Sequence, residues 1–342
     1  MLAYPHPENP LETGRNFYGL LNPVYRGFWN EYMDSKEISF DDKIVYPQLV
    51  TAVSENHFIE HILHAKRTAA TLKAEGKNRK LLIFDIGLSE EMIEFFKSRP
   101  EIYIYRKFSF DGLPPSAKKP LYTMTWKVLL WSRCLTEFGA CVWMDSSVYY
   151  NKSYDQSIKN DFYAKKKPYA YGIYASGNPT MRTTHPFMFS FFPSNMSYFE
   201  ANQQQQSGGE VMFNTKEFKH GIMKYALACA LTPECMYPKS KLNGNHKLAF
   251  GKDCHDYKNY KARFYNCHRF DQSLMDILVR NFYKNDPEKW SMDKEVLTCD
   301  RKYEYENYLK EVAKFHGVKY VDYYSVTYRQ KVDYILDKHY GF

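Results

Sequence analysis

Residues 138–150 read FGACVWMDSSVYY, a short apolar run that ends in an acid and two hydroxyl side chains. Ala140 to Met144 has the length and the apolar content of a buried β-strand. Asp145 follows this strand at its carboxyl end, where open α/β sheets bind ligands. A carboxylate there can bind a metal ion, a ribose or a phosphate-bound cation, and the two serines that follow leave room for one. The alternative is an ordinary turn after a core strand.

The segment before Asp145 alternates between the periodicities of strands and helices. The pattern predicts strands at 46–54, 79–88, 102–108 and 140–144, and helices at 55–75, 90–98 and 123–138, with Ser89 as the N-cap of the second helix. This alternation predicts an α/β, Rossmann-type fold with a mixed, mostly parallel sheet flanked by helices.

The segment after Asp145 is less regular. It predicts strand-like runs at 168–174, 186–192 and 211–214, a loop at 203–206, helices at 215–231 and 270–281, and an isolated strand at 318–321. No linker separates two independent domains, and 342 residues suit one enlarged α/β domain. We expect an irregular N-terminal extension at 1–45, the domain at 46–285 and a C-terminal tail at 286–342.

The charge of the chain is moderate, with a formal net charge of +8. Basic residues are scattered, and the densest run, Lys165 to Lys167, is typical of a solvated loop. No nucleic-acid motif or charge stripe is present, so a nucleic-acid binder is the weakest function class. The 31 tyrosines suit wet clefts and carbohydrate surfaces, or they fill the core.

Seven cysteines leave the redox state of the chain open. Cys229 and Cys235 enclose a short turn that a disulfide bond can close, whereas Cys134 and Cys141 have the character of buried thiols. None of the cysteines has the spacing of a zinc site.

Two sequence features bear on cellular location. Acceptor sequons at Asn151 and Asn195 favour a Golgi or secretory-pathway lumen. No run of 18 apolar residues occurs, so we expect either a soluble cytosolic protein or membrane association only through a segment that this sequence does not contain.

Eight short segments follow one another in a distinctive order. They are VTAVSENHF (50–58), LLIFDIGLS (81–89), YRKFSFD (105–111), TWKVLL (125–130), VWMDSSV (142–148), SGGEVMFNT (207–215), CALTPECMYP (229–238) and HRFDQS (268–273). Together they resemble nucleotide-diphospho-sugar transferases of the GT-A glycosyltransferase type, and most of all an animal family of transferase-like proteins. The resemblance implies an enzyme that moves a hexosyl group from a nucleotide-diphospho-sugar donor to a hydroxyl acceptor on a glycan, protein or lipid.

The resemblance also implies roles for individual residues. Glu210 is a candidate base for the acceptor hydroxyl, and Asp271 is a second candidate catalytic carboxylate. Asp145 and His268 are the candidate metal ligands. The candidate nucleotide-sugar-binding residues are Thr51, Ala52, Ser54, Asp85, Arg106, Lys127, Asp145, Ser147, Gly208, Gly209 and Gln272.

The candidate metal site departs from the GT-A pattern. Asp145 occupies the place of the aspartate pair, but Ser147 stands where the second aspartate belongs. Divalent cations such as Mn²⁺ or Mg²⁺ draw much of their binding energy from carboxylate oxygens. We therefore expect weak, diphosphate-assisted metal binding, completed by His268 or Asp271, or no metal at all. An alternative function follows, an inactive sugar- or nucleotide-binding protein that kept the fold.

Several candidate residues have a structural alternative. Asp85 can cap the turn that Gly87 makes, and Asp271 can cap the helix that follows it. The remaining alternatives are ordinary turn chemistry at residues 51–54 and 208–209, a surface charge at Arg106 or Lys127, and a structural role for His268.

Overall fold

The computed structural model describes residues 3–9, 12–76, 78–118, 121–150, 154–171, 175–200, 202–238, 268–292, 296–299, 310 and 314. Its strands are β1 (Gln48–Val53), β2 (Leu81–Asp85), β3 (Tyr103–Lys107), β4 (Ala140–Met144), β5 (Val148–Tyr150), β6 (Tyr169–Tyr171), β7 (Ala175–Pro179), β8 (Gln203–Gln205), β9 (Gly209–Phe213) and β10 (Leu297–Cys299).

The helices of the described part range from single turns to 17 residues. They are α1 (Phe17–Leu20), α2 (Pro23–Met33), α3 (Phe58–Ala74), α4 (Glu90–Lys97), α5 (Pro115–Lys118), α6 (Thr125–Phe138), α7 (Tyr154–Ser157), α8 (Ser197–Glu200), α9 (Lys216–Phe218), α10 (Lys224–Ala230), α11 (Pro233–Met236) and α12 (Phe270–Phe282). None of them is long and apolar enough to cross a membrane.

The main sheet has six strands in the order β3-β2-β1-β4-β9-β6. β2 pairs in parallel with both β1 and β3, so that Asp85 lies opposite Val53 on one side and Lys107 on the other. β6 and β9 pair in antiparallel. This mixed, mostly parallel sheet flanked by helices confirms the predicted fold class.

The chain divides into two compact units, each built from separate stretches of sequence. The first unit comprises Met1–Gln48, Ser109–Trp143 and Asp155–Asp293, and the second comprises Leu49–Phe108, Met144–Tyr154 and Lys294–Phe342. The domain boundaries expected at 45 and 285 stay predictions.

In the second unit, α3 and α4 bury aromatic side chains against one another and against β3. Phe96 lies edge-on to Phe58, with 5.6 Å between the ring centroids, and edge-on to Tyr103 at 5.0 Å. Edge-to-face rings at this spacing add to the stabilisation that burial provides. The buried face of α4 is why its sequence shows a helical period.

In the first unit, α6 leads into the strand that precedes Asp145. The helix ends at Phe138 because Gly139 has a left-handed backbone, with φ at 73°, and its N–H donates to the carbonyl of Leu135. The chain then enters β4, whose residues are all buried. The predicted strand at 140–144 is therefore confirmed.

Two expectations about the irregular regions are wrong. Pro186–Ser190 is a 3₁₀-helix rather than a strand, because Nδ1 of His185 accepts from the N–H of Phe187 and caps its start. Gln203–Gln205 forms β8 and pairs with β7, although its polar sequence predicted a loop. The strand expected at 318–321 and the sequon at Asn151 lie outside the described residues.

One expectation about the N-terminal region is wrong, and one about a helix start is confirmed in position only. The N-terminal extension contains α2, where Oδ1 of Asn22 accepts from the N–H of Val24 and Pro23 takes the first helical position. Ser89 lies at the N-cap position of α4, but its side chain makes no capping hydrogen bond.

Two disulfide bonds lie in the first unit. Cys229 and Cys235 are bonded, as predicted. Cys134 and Cys141, expected as thiols, are also bonded, because the turn at Gly139 brings the end of α6 back against β4 and places the two Cα atoms 6.3 Å apart. All four cysteines are completely buried.

Replacing Cys134 and Cys141 together by alanine should lower the free energy of unfolding by about 2–3 kcal/mol, because the unfolded chain regains the entropy of a short loop. The same change is expected for Cys229 and Cys235. Urea denaturation measures both. A reductant should destabilise the wild type and leave a variant without all four cysteines unchanged. A peptide map that finds these thiols unbonded in unreduced protein would contradict the assignment.

Candidate functional site

The carboxyl ends of parallel strands bring several predicted residues to one edge of the second unit. The parallel register places the ends of β1, β2 and β3 side by side. Thr51 is 1 % exposed, and its hydroxyl has no hydrogen-bond partner among the described residues. Ala52 and Ser54 are buried as well. These small side chains leave the backbone at the end of β1 accessible only to a closely fitting group.

Asp85 caps a turn, which was the structural alternative for this residue. Its Oδ1 accepts from the N–H groups of Gly87 and Leu88, at 2.9 and 2.8 Å. Its Oδ2 accepts from the hydroxyl of Tyr105 at 2.7 Å. Both carboxylate oxygens are therefore used within the protein, and a base or ribose would have to displace one of these bonds.

Arg106 lies on β3, opposite Phe84 on β2, and its side chain is exposed. Its guanidinium donates to the carbonyl of Tyr105 at 3.4 Å. This placement is compatible with both predictions for Arg106, a residue that binds the diphosphate and an ordinary surface charge.

Asp145 lies where the sequence predicts it, one residue beyond β4. The strand is buried throughout, whereas Asp145 and Ser146 are partly exposed. The carbonyl of Asp145 accepts from the N–H of Val148 at 2.8 Å, which closes a turn into β5. The carboxyl end of a strand is where open α/β sheets bind ligands, so this position favours a ligand role.

Ser147 points into the protein rather than toward solvent. It is 3 % exposed, and its Oγ lies 3.7 Å from Sγ of Cys299. Cys299 belongs to β10, which pairs with β5. In this arrangement the hydroxyl of Ser147 does not replace the missing second carboxylate.

Glu60 is a functional candidate that sequence reasoning missed. It lies in the first turn of α3, and its Oε2 accepts from Oγ of Ser146 at 3.2 Å and contacts Nδ1 of His57 at 3.1 Å. Burial alone would raise the pKa of Glu60, but hydrogen bonding and charge from His57, together with His64 and Ser146, outweigh it and lower that pKa. A second carboxylate thus lies beside the turn that contains Asp145. The acid at the start of a helix just after β1 was the available signal.

Lys127 and Asp271 form a buried ion pair in the first unit. Nζ of Lys127 lies 3.0 Å from Oδ2 of Asp271, and the side chains are 2 % and 9 % exposed. The ammonium also donates to the carbonyl of Ser207 and lies over Trp131 and Trp143. Lys127 is therefore no surface charge, and its ammonium is held within the protein.

Ser207 extends this pair toward Glu210. Its hydroxyl donates to Oε1 of Glu210, which is completely buried on β9, opposite Tyr171 on β6. Gly208 lies in the turn between them and Gly209 begins β9; both are buried. Residues from three separate parts of the chain (Lys127, Ser207 with Glu210, and Asp271) thus form one continuous polar network.

Asp271 and Gln272 lie at the start of α12. Arg269, not Asp271, occupies the N-cap position of this helix, so the predicted capping role of Asp271 is wrong. Nε2 of Gln272 is buried and has no hydrogen-bond partner among the described residues. Such a donor costs about 1–3 kcal/mol when unpaired, and a ligand oxygen would satisfy it.

Backbone strain accompanies the ion pair. Met124 and Phe270 have φ values of 53° and 22°. Met124 immediately precedes α6, which carries Lys127, and Phe270 is the first residue of α12, which carries Asp271. Left-handed backbones at residues other than glycine cost energy and concentrate at functional sites.

His268 is a packed structural residue in this fold. Its Nδ1 accepts from the N–H of His185 at 3.1 Å, and its Nε2 contacts the carbonyl of Met236 at 3.3 Å. Burial, followed by the nearby His185, lowers the pKa of His268 to about 3. With both ring nitrogens engaged, the geometry argues against the predicted role as a metal ligand.

The donor set does not fit a resident divalent cation. In the described ranges no three side chains of His, Cys, Asp or Glu converge in a way that could hold a metal ion. Ser147 faces Cys299, and Asp271 is paired with Lys127. The expected Mn²⁺ or Mg²⁺ therefore stays a prediction, and we derive no chemical step through it.

No family model matches the chain, and no curated protein matches it. Similar solved structures include core-mannan synthase A (CmsA/Ktr4) of Aspergillus fumigatus in its Mn/GDP form, with 14 % identity, coverage of 60 % of this chain and 69 % of that chain, and a TM-score of 0.40. The mannosyltransferase Ktr4p of S. cerevisiae in complex with GDP has 13 % identity, coverage of 62 % and 75 %, and a TM-score of 0.35.

A third similar structure is the galactosyltransferase LgtC in complex with donor and acceptor sugar analogues. It has 12 % identity to this chain, coverage of 54 % of this chain and 70 % of that chain, and a TM-score of 0.35. All three are glycosyltransferases. At TM-scores of 0.40 or less the likeness is partial, so we base the proposed function on this chain's own residues.

Replacing Lys127 by methionine should lower the free energy of unfolding by about 3–5 kcal/mol, because Asp271 is left as a buried charge without its counter-ion. The double variant Lys127→Met with Asp271→Leu should recover most of that loss. Lys97→Met is the control, since Lys97 and Glu94 form an exposed pair at 3.9 Å that contributes about 0–1 kcal/mol. Chemical denaturation gives the free energy of unfolding of all three variants. A double variant that is less stable than Lys127→Met alone would contradict the pairing.

Stability should also fall in mild acid. Burial lowers the pKa of His61, in the second unit, to about 3, as it does for His268. Below the ordinary histidine pKa of about 6.5, these two histidines are protonated in the unfolded chain and neutral in the folded chain. Because the unfolded state binds more protons, lowering the pH favours unfolding. Between pH 7.5 and pH 5 each histidine should therefore cost about 2 kcal/mol.

Urea midpoints at the two pH values test this pH dependence. His61→Asn and His268→Asn should each flatten it, whatever they do to stability at pH 7.5. An equal midpoint at pH 7.5 and pH 5 for the wild type would show that these rings are accessible to protons.

Proposed function

We propose that this protein is a glycosyltransferase that binds a nucleotide-diphospho-sugar and transfers its hexosyl group to a hydroxyl acceptor on a glycan, protein or lipid. The observation that carries the proposal is Asp145, a partly exposed carboxylate that directly follows the buried strand β4. The order of the eight GT-A-like segments along the chain supports it.

The second unit would bind the nucleotide part of the donor. Small residues at the end of β1, Thr51, Ala52 and Ser54, allow a flat ring to approach the backbone, and the buried hydroxyl of Thr51 lacks a partner in the described structure. Glu60 accepts from Ser146, the residue after Asp145, and the two carboxylates would orient the ribose or the cation that accompanies the diphosphate. Arg106 offers a guanidinium to phosphate oxygens.

The first unit would bind the acceptor. The carboxylate of Asp271 has a fixed position, because its Oδ2 lies 3.0 Å from Nζ of Lys127. Next to it, Nε2 of Gln272 offers a buried donor to a sugar hydroxyl. Glu210 fits the role of a base less well, because it is completely buried and already accepts from Ser207. Asp271 is therefore the acceptor-side carboxylate that we favour.

The proposed location is a secretory-pathway lumen such as the Golgi. Two buried disulfide bonds support it, since disulfides persist in oxidising compartments and are rare in the cytosol. The chain would then meet glycoprotein or glycolipid acceptors in the same compartment.

Asp145→Asn should weaken the binding of UDP or GDP at least tenfold and leave the unfolding midpoint nearly unchanged, because the substitution removes the charge and keeps the size of the side chain. Isothermal titration measures the affinity, with and without Mn²⁺, and so also tests the metal prediction. Asp111→Asn is the matched control, an exposed aspartate in a loop of the first unit. Equal affinities for the wild type and Asp145→Asn would remove Asp145 from the donor site.

A second measurement separates the enzyme from the binding protein. UDP-glucose, UDP-galactose and GDP-mannose are each incubated with the wild type and with Asp271→Asn, and free nucleotide is quantified. We expect release from one of the donors by the wild type and at least tenfold less by the variant. Because Asp271→Asn leaves Lys127 without its counter-ion, the comparison is made at a temperature at which circular dichroism shows both proteins folded. Nucleotide binding without any release would favour the inactive binding protein instead.

A further inference from the structure

A cavity of about 840 Å³ lies in the first unit, apart from the network of Lys127 and Glu210. Its wall includes Pro168, which directly precedes β6. Glu210 lies opposite Tyr171 on the same strand, and neither Glu210 nor Lys127 lines the cavity. A cavity of this size accommodates a small organic ligand.

The cavity combines ammonium and carboxylate groups. Four lysines line it, Lys165, Lys166, Lys167 and Lys289, together with three acids, which include Glu217 and Glu288. Ammonium groups bind an oxyanion, whereas carboxylates accept hydrogen bonds from hydroxyl groups. The mixture therefore suits a ligand with one anionic group and several hydroxyls.

Two of these lysines can exchange their partners at small cost. Lys165 pairs with Asp161 at 2.9 Å and Lys166 with Asp41 at 2.7 Å, and both ammonium groups are largely exposed. Exposed ion pairs contribute about 0–1 kcal/mol, so a ligand anion can take the place of either aspartate. Lys289 lines the same space and forms no ion pair with the described residues.

Lys167 instead fixes the wall. It is 8 % exposed, and its Nζ donates to the carbonyl of Ser291 at 2.6 Å. The N–H of Tyr171 donates to the carbonyl of Trp290, which attaches the same segment to β6. The wall is thus held before any ligand binds, which lowers the entropic cost of binding.

Tyr283 lines the cavity, but its hydroxyl is buried. This OH has no hydrogen-bond partner in the described structure, so it can donate to a ligand once the side chain turns toward the cavity. Burial, and then the charge of Glu217, raises the pKa of Tyr283, so the group stays a donor. A buried hydroxyl without a partner calls for an explanation such as a bound molecule.

Strained backbone surrounds this space. Lys166 has φ at 47°, and Lys284 and Asn285, just after Tyr283, have φ values of 49° and 58°. None of them is a glycine, and left-handed residues of this kind concentrate at ligand sites.

We propose that this cavity binds one acidic sugar unit, a monosaccharide that carries a carboxylate or a sulfate. Lys166 and Lys289 hold the anionic group, Glu217 and Glu288 accept from ring hydroxyls, and the hydroxyl of Tyr283 donates to a ring or hydroxyl oxygen. None of the residues that line this cavity belongs to the proposed donor or acceptor site, so the proposal is tested independently of the proposed function.

Titration followed by NMR, with glucuronate, glucose and inorganic sulfate as probes, tests the proposal. We expect the wild type to bind glucuronate at least tenfold more tightly than either glucose or sulfate, since only glucuronate supplies both the anion and the hydroxyls. Glucose 6-sulfate should bind as well as glucuronate, because the two share the same chemistry. If neither glucuronate nor glucose 6-sulfate binds, the proposal is wrong. If sulfate and glucuronate bind equally tightly, the cavity binds anions in general and the proposal of a sugar site is also wrong.

Variants locate the binding. Lys166→Gln with Lys289→Gln should weaken glucuronate binding at least tenfold, and Tyr283→Phe should weaken it several-fold, while UDP affinity stays unchanged in both. Lys97→Gln, an exposed lysine of the second unit, is the matched control. An equal loss in the control would show that only net charge matters, which overturns the assignment to this cavity. Because Tyr283→Phe removes a single hydroxyl, it also serves if the double variant fails to fold.

Discussion

The interior of the first unit depends on the ammonium of Lys127. An ammonium removed from water is tolerated only where opposite charge and acceptors surround it. Asp271 supplies the charge and Ser207 the acceptor, while Trp131 and Trp143 present ring faces. Asp271 comes from α12, Ser207 from the turn before β9 and Trp143 from β4, whereas Trp131 lies on α6 together with Lys127. One cation thus fixes the relative positions of three parts of the unit, and the two helices that meet there begin with strained residues.

Much of the architecture is visible in the sequence because periodicity follows burial. α4 shows a helical period because one face is buried, and β4 is a continuous apolar run because every residue is buried. Where local sequence and long-range pairing disagree, the sequence misleads. Gln203–Gln205 is polar, yet β7 provides a partner strand for it. Cys134 and Cys141 pair because a left-handed Gly139 reverses the chain, which composition does not reveal.

The candidate site was predictable where it follows strand ends and unpredictable where it depends on contacts between distant residues. The position of Asp145 follows from the end of an apolar run. The ion pair of Lys127 with Asp271, the turn-capping role of Asp85 and the engaged ring of His268 all depend on partners that the sequence does not place nearby. Glu60 was missed for the same reason, since the contact with the turn after β4 forms only in the folded chain.

The two disulfide bonds have a consequence for how the protein is made. Each joins cysteines only seven or six positions apart, so both partners emerge from the ribosome almost together. Neither bond has to wait for the sheet, whose neighbouring strands β4 and β9 are separated by more than sixty residues. Both disulfide bonds can therefore form before synthesis of the chain is complete. In an oxidising compartment, pairing each of these cysteines with its nearest neighbour in sequence would give the native bonds.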